Sequence, residues 1–129
     1  MLGGALGSLG RYALGRASAG WWKHLSWPYN EWPLSTFAAN VTGGLLMGLL
    51  MGLLLGPLKG VIDTERARLF FGVGVLGGFT TFSSFSLETV EMLERRAYAL
   101  AGLYVVSSVI LAIAAVGLGL FIVRRAGAA

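Results

Sequence analysis

The sequence predicts an all-α membrane protein in a single domain, with four transmembrane helices and the third helix broken at mid-membrane. Three observations carry this. The 129 residues are 56% hydrophobic and 12% charged, with a mean hydropathy of +0.74, which leaves a soluble domain too little polar surface to stay dispersed. The apolar residues fall into four runs, about 1–19, 33–55, 69–87 and 97–123. The third run carries no charge, and at about 1.5 Å per helical residue it is roughly long enough to cross a bilayer core. Inside it lies Gly77-Gly78-Phe79-Thr80-Thr81-Phe82-Ser83-Ser84-Phe85-Ser86. Adjacent glycines weaken a helix, and Thr and Ser hydroxyls compete for its backbone hydrogen bonds. Lipid offers no partner to a freed N–H or C=O, so a break there must face protein, ions or water.

Composition also excludes several classes. The chain has no cysteine, so disulfides and thiolate sites are out. Ten Lys and Arg against six Asp and Glu give a net charge of +4. In a chain this apolar, that excess anchors loops at anionic headgroups rather than binding nucleic acid. The N-terminal run lacks a basic leader and no polar domain follows it, so it does not read as a cleavable signal.

In the first span, Gly3, Gly7, Arg11 and Gly15 recur every four residues and share one helical face. The small residues invite close helix contact. Taken alone, Arg11 is expected to snorkel to the headgroups. The connection that follows holds Trp21, Trp22, Trp27 and Trp32 with Lys23, His24 and Glu31, and reads as an interfacial aromatic belt in which the lone His24 is solvated.

The second span has the clearest period: Thr36, Asn40, Gly44, Gly48, Gly52 and Gly56. The glycines read as a packing seam. Asn40 is costly in hydrocarbon unless paired, and two readings stand about even: an interhelical hydrogen bond, or an N–H donor presented to an anion.

A loop with Pro57, Lys59, Gly60, Asp63, Glu65, Arg66 and Arg68 leads to the third span, which ends at Glu88, Glu91, Glu94, Arg95 and Arg96. In the fourth span Tyr104, Ser108 and Ala112 line one face, and Arg124 and Arg125 close it.

Four spans put both termini on one side with Lys59, Arg66, Arg68, Arg124 and Arg125, against Arg16, Lys23, Arg95 and Arg96 on the other. Basic residues in short loops set orientation, and this balance sets none. The chain is therefore expected to insert both ways, so that two opposed copies pair about an axis in the membrane plane. Carbonyls freed beside the glycines, those of Gly77 and Thr80 first, could then cage a small hard cation between the copies; a kink satisfied by hydroxyls is the plainer alternative. Phe82 and Phe85 share a face with Glu88. Core or lipid packing is their default role, but the positive ring edge offers an anion weak stabilisation without a full charge to trap it. Metal-ligand sets, nucleophile–base pairs and phosphate loops are all missing from the sequence, so no enzyme is expected.

These motifs closely resemble the CrcB/Fluc family of fluoride channels. Residues 77–86 resemble the family's third-helix signature, Gly3-Gly4-Ala5-Leu6-Gly7-Ser8-Leu9-Gly10-Arg11-Tyr12 its first-helix motif, and Asn40-Val41-Thr42-Gly43 its second. The resemblance implies a dual-topology antiparallel homodimer in the cell membrane, passive export of toxic fluoride through two pores, and a structural sodium ion (Na+) at the dimer centre. Carried over by position, it implies fluoride-facing rings at Phe82 and Phe85, the pore asparagine at Asn40, a polar track at Tyr104 and Ser108, a vestibule arginine at Arg11, and Glu88 near the other vestibule. Hydroxyls of the third and fourth helices, Ser83 among them, are expected to replace water around the ion, and the carbonyls of Gly77 and Thr80 to bind sodium. Ser84 stands where threonine is more usual, and Ala112 where some relatives are polar. A small multidrug-type antiporter is the alternative, disfavoured because the first span has no acid.

Overall fold

A computed structural model describes residues 1–22 and 33–128. The expected tryptophan belt lies outside the described residues, apart from the backbone of Trp21 and Trp22. The elements are α1 (Leu2–Trp22), α2 (Leu34–Leu55), α3 (Thr64–Ala67), a π-helical stretch (Arg68–Leu76), α4 (Gly77–Phe79), α5 (Phe82–Glu94) and α6 (Tyr98–Ala128). Among the described residues, three helical stretches are long and apolar enough to cross a membrane: Leu34–Leu55, Thr64–Glu94 and Tyr98–Gly127. α1 has 21 residues but is not among them; Arg11, Arg16 and its small residues dilute its hydropathy.

Glycine seams set the packing. Along α2, Gly44, Gly48 and Gly52 are buried against α6. A Cβ at Gly44 would lie 2.7 Å from the Ala112 carbonyl oxygen, and one at Gly48 would overlap that of Val116. From the other side, a Cβ at Gly119 would sit 2.5 Å from the Leu45 carbonyl. The first helix repeats the pattern: a Cβ at Gly3 would come within 2.7 Å of the Phe70 carbonyl, and one at Gly7 would strike that of Val75. In lipid, apolar surface gains little by leaving its solvent, so backbones brought this close are held by dispersion and by weak Cα–H···O contacts.

The third helical stretch departs from the sequence expectation in its first half, which is π-helical over Arg68–Leu76. α5 then continues to Glu94, inside the charged end that the sequence marks from Glu88 to Arg96. That end is closed by Arg96, which has a φ of 59°. The Arg96 N–H donates to the Leu93 carbonyl at 3.0 Å and the Ala97 N–H to that of Met92 at 2.9 Å, the two reversed bonds of a left-handed helix stop. Ala97 then packs on a buried cluster of Met92, Ala101 and Tyr104, joined by Phe37 and Phe85. This cluster locks α5 against α6 directly below the break.

Candidate functional site

The helix opens between α4 and α5, where Thr80 (φ −78°, ψ 159°) and Thr81 (φ −151°, ψ 123°) are extended. The Thr80 N–H still donates to the Leu76 carbonyl at 2.9 Å, and so does its Oγ1. The next N–H does not follow the ladder: Thr81 donates to Asn40 Oδ1 at 2.8 Å, while Asn40 Nδ2 donates to the Thr81 carbonyl at 3.1 Å. One carboxamide thus satisfies both polar groups of the residue where the helix breaks. Thr81 Oγ1 in turn accepts from the Ser84 N–H at 3.2 Å and caps α5. The N–H groups that would have met the Gly77 and Thr80 carbonyls in an unbroken helix, those of Thr81 and Ser84, are both diverted.

Arg11 turns toward the break. Its Nε donates to the Gly78 carbonyl and its Nη1 to Ser84 Oγ, both at 3.4 Å. A freed carbonyl and a hydroxyl across the α1 interface offer the guanidinium partners within reach. Asn40 of α2 and Arg11 of α1 therefore stitch the break from two sides.

Beside the break is an open cavity of about 280 Å³ lined by Asn40, Thr80, Thr81, Phe82, Phe85, Ser108, Val109 and Ala112. Ser108 is 4% exposed, and its Oγ is buried without a hydrogen-bond partner. Asn40 Nδ2 spends one N–H on Thr81, and a carboxamide carries two. The rings of Phe82 and Phe85 lie 5.8 Å apart between centroids, and those of Phe85 and Tyr104 5.1 Å. This aromatic file leads from the cavity to Glu88, whose two carboxylate oxygens accept from Thr36 Oγ1 and the Tyr104 hydroxyl, each at 2.7 Å. Thr36 and Tyr104 are buried, so the carboxylate joins α2, α5 and α6.

The structure brings Asn40, Thr80, Phe82, Phe85 and Ser108 together around one cavity, with Tyr104 and Glu88 at the end of the aromatic file. Arg11 holds the break itself. Ser83 is exposed and does not line the cavity; its Oγ lies 3.2 Å from Thr81 Oγ1. Gly77 is exposed, and a Cβ built there would meet only the Gly72 carbonyl, at 3.7 Å. Sequence reasoning missed two participants. Thr81 carried a readable signal, a threonine just before a helical run. Thr36 did not, since nothing local to it points to Glu88. Among the described residues, no group of three His, Cys, Asp or Glu could hold a metal.

Membrane-length apolar helices around a cavity lined by hydroxyls, a carboxamide and aromatic rings, with no ionised group among the lining residues, define a membrane protein that handles an ion or a small polar solute. The chain belongs to the CrcB family, whose description reads "CrcB-like protein, Camphor Resistance (CrcB)" and which matches residues 1–120. It is 51% identical to the "Fluoride-specific ion channel FluC" of Caulobacter sp. (strain K31), over 95% of this chain and 90% of that protein. Proteins of the same name from Phenylobacterium zucineum (strain HLK1) and Erythrobacter litoralis (strain HTCC2594) are each 50% identical over 95% of the chain, and 91% and 88% of their own lengths are covered.

Proposed function

We propose that this chain is a fluoride-selective channel of the cell membrane, not an enzyme, through which fluoride leaves passively and its toxicity is limited. The observation that carries the reading is the buried Ser108 Oγ without a partner, in a cavity shared with Asn40, Phe82 and Phe85. A buried hydroxyl left unsatisfied costs free energy, and an anion that accepts from it removes that cost. Taking even a carboxylate-sized ion out of water costs of order 20 kcal/mol. Fluoride, smaller still, needs donors in sequence: the second N–H of Asn40, the Ser108 hydroxyl, and the positive edges of the two rings. The antiporter alternative is not favoured, because the relatives are named as fluoride channels and α1 carries no acid.

The reading extends to α1 as a fourth span and to an antiparallel homodimer with two pores. Its supports are the balanced basic residues and the outward exposure of Gly77 and of Phe82, which is 80% exposed. Structural sodium at the dimer centre fits the chain: the Gly77 and Thr80 carbonyls have lost their helical donors, and oxygen ligands suit a small hard cation. Held by those two carbonyls, sodium would supply the positive charge that their diverted helical N–H donors no longer give. The deciding experiment is ion efflux from liposomes containing only this protein. Fluoride should leave rapidly and chloride should not; equal rates, or no fluoride efflux, would refute the proposal.

A further inference from the structure

Three residues beyond Asn40, α2 touches the break a second time. Gly43 is buried, and a Cβ built on it would overlap the Thr80 methyl, Cγ2. The other nearest atoms are at ordinary contact, Phe79 Cδ1 at 3.5 Å and Thr80 Cβ at 3.7 Å. The space at Gly43 is therefore a socket for one methyl group. Thr80 is β-branched and stiff about χ1, and in the rotamer that seats its methyl the hydroxyl lies 2.9 Å from the Leu76 carbonyl. Any turn that withdrew the methyl would also take the hydroxyl off that carbonyl.

We infer that Gly43 is a positioning residue of the conduction site: its missing side chain receives the Thr80 methyl and so fixes the residue at which the helix opens. This inference rests on the channel reading and adds a residue to it. Thr80 lines the cavity and directly precedes the Thr81 peptide that Asn40 clamps. A displaced Thr80 therefore shifts the cavity wall and strains the clamp together. Helix packing alone would make Gly43 intolerant of any larger residue whatever stands at position 80. The socket makes a sharper demand: removing the methyl from Thr80 should relieve the clash that a methyl at position 43 creates, because volume is conserved across the contact.

The test is a methyl exchange, read by fluoride efflux from proteoliposomes and by melting temperature in detergent. Gly43→Ala should slow efflux at least about tenfold, since overpacking a filled contact forces side chains off their rotamers. Thr80→Ser empties the socket but keeps the hydroxyl on Leu76, and its own efflux and melting temperature are the reference for the double variant. The double variant Gly43→Ala/Thr80→Ser should match Thr80→Ser in both and pass fluoride faster than Gly43→Ala alone. Parental efflux in Gly43→Ala, or a double variant no faster than Gly43→Ala alone, overturns the assignment. If Gly43→Ala alone does not fold, recovery of folded, conducting protein in the double variant supports the socket and its failure to recover overturns it. A parental protein that passes no fluoride would refute the channel reading instead. The socket is then judged on melting temperature, where the double variant must recover what Gly43→Ala loses.

Discussion

Replacing Asn40 by aspartate separates the two duties of that side chain. In the parental protein Oδ1 accepts from the Thr81 N–H at 2.8 Å and Nδ2 donates to its carbonyl at 3.1 Å. Aspartate keeps the first bond, now charge-assisted, and loses the second, so one carboxylate oxygen faces a carbonyl oxygen. The Thr81 carbonyl left unpaired costs about 1–3 kcal/mol and the desolvated carboxylate several kcal/mol more, only partly offset by the strengthened bond. The effect on an anion is separate. A unit charge about 4 Å from fluoride, at an effective dielectric constant of about 20, repels it by roughly 4 kcal/mol. That corresponds to about a thousandfold slower passage. Asn40→Leu provides the opposite comparison: it adds no charge but leaves the Thr81 N–H and carbonyl unpaired, at about 1–3 kcal/mol each. Efflux from proteoliposomes, normalised to folded protein by melting of the purified variants, should therefore be lower for aspartate than for leucine. Asn40→Asp passing fluoride at the parental rate while folded would show that the permeating ion never comes near Asn40.

Phe82→Ile and Phe85→Ile should each lower fluoride efflux while the protein remains folded, because apolar volume is nearly kept and only the ring edge is lost; parental efflux in both would reduce the rings to packing. Gly77→Leu should disrupt the dimer and its proposed cation, as seen by light scattering and anomalous diffraction. The chain's own atoms leave room for a Cβ there, so a Gly77→Leu protein that still dimerises and binds the cation refutes the proposed contact. C-terminal reporter fusions should give signal on both sides of the membrane, and a single orientation would remove the antiparallel dimer. Arg96→Gly should raise stability by about 1 kcal/mol in thermal melts, because the left-handed φ of 59° costs a non-glycine residue about that much.

What the sequence made legible is what repeats locally. The four-residue rows of α1 and α2 could be read because helical geometry places such residues on one face, and Gly44, Gly48 and Gly52 do meet α6. The weakness of residues 77–86 was equally readable from glycine and hydroxyl content. The site of rupture was not, because it is decided by Asn40 of another helix capturing the Thr81 N–H. For the same reason Asn40 stood evenly between two readings, and Arg11, seen alone, was expected to snorkel. The Thr36–Glu88–Tyr104 junction joins three helices through residues with no common local pattern. The π-helical stretch is likewise a matter of ladder register, which composition does not encode.

A helix broken inside a membrane exposes donors and acceptors alike, and an anion pathway tolerates only the donors. Here the sorting falls to side chains from neighbouring helices. The Thr81 carbonyl is covered by Asn40 and the Gly78 carbonyl by Arg11, so two oxygens that would repel fluoride are already neutralised by N–H groups. The Gly77 and Thr80 carbonyls have lost their helical donors to the same rearrangement. In the proposed dimer a cation takes the place of those donors. A single carboxamide would then serve both ions: by holding the Thr81 peptide, Asn40 frees an oxygen for the cation while keeping a second N–H for the anion. This argument binds the two sites together and predicts that they fail together. An Asn40→Leu variant that lost fluoride efflux yet kept the central cation at full occupancy would break the link.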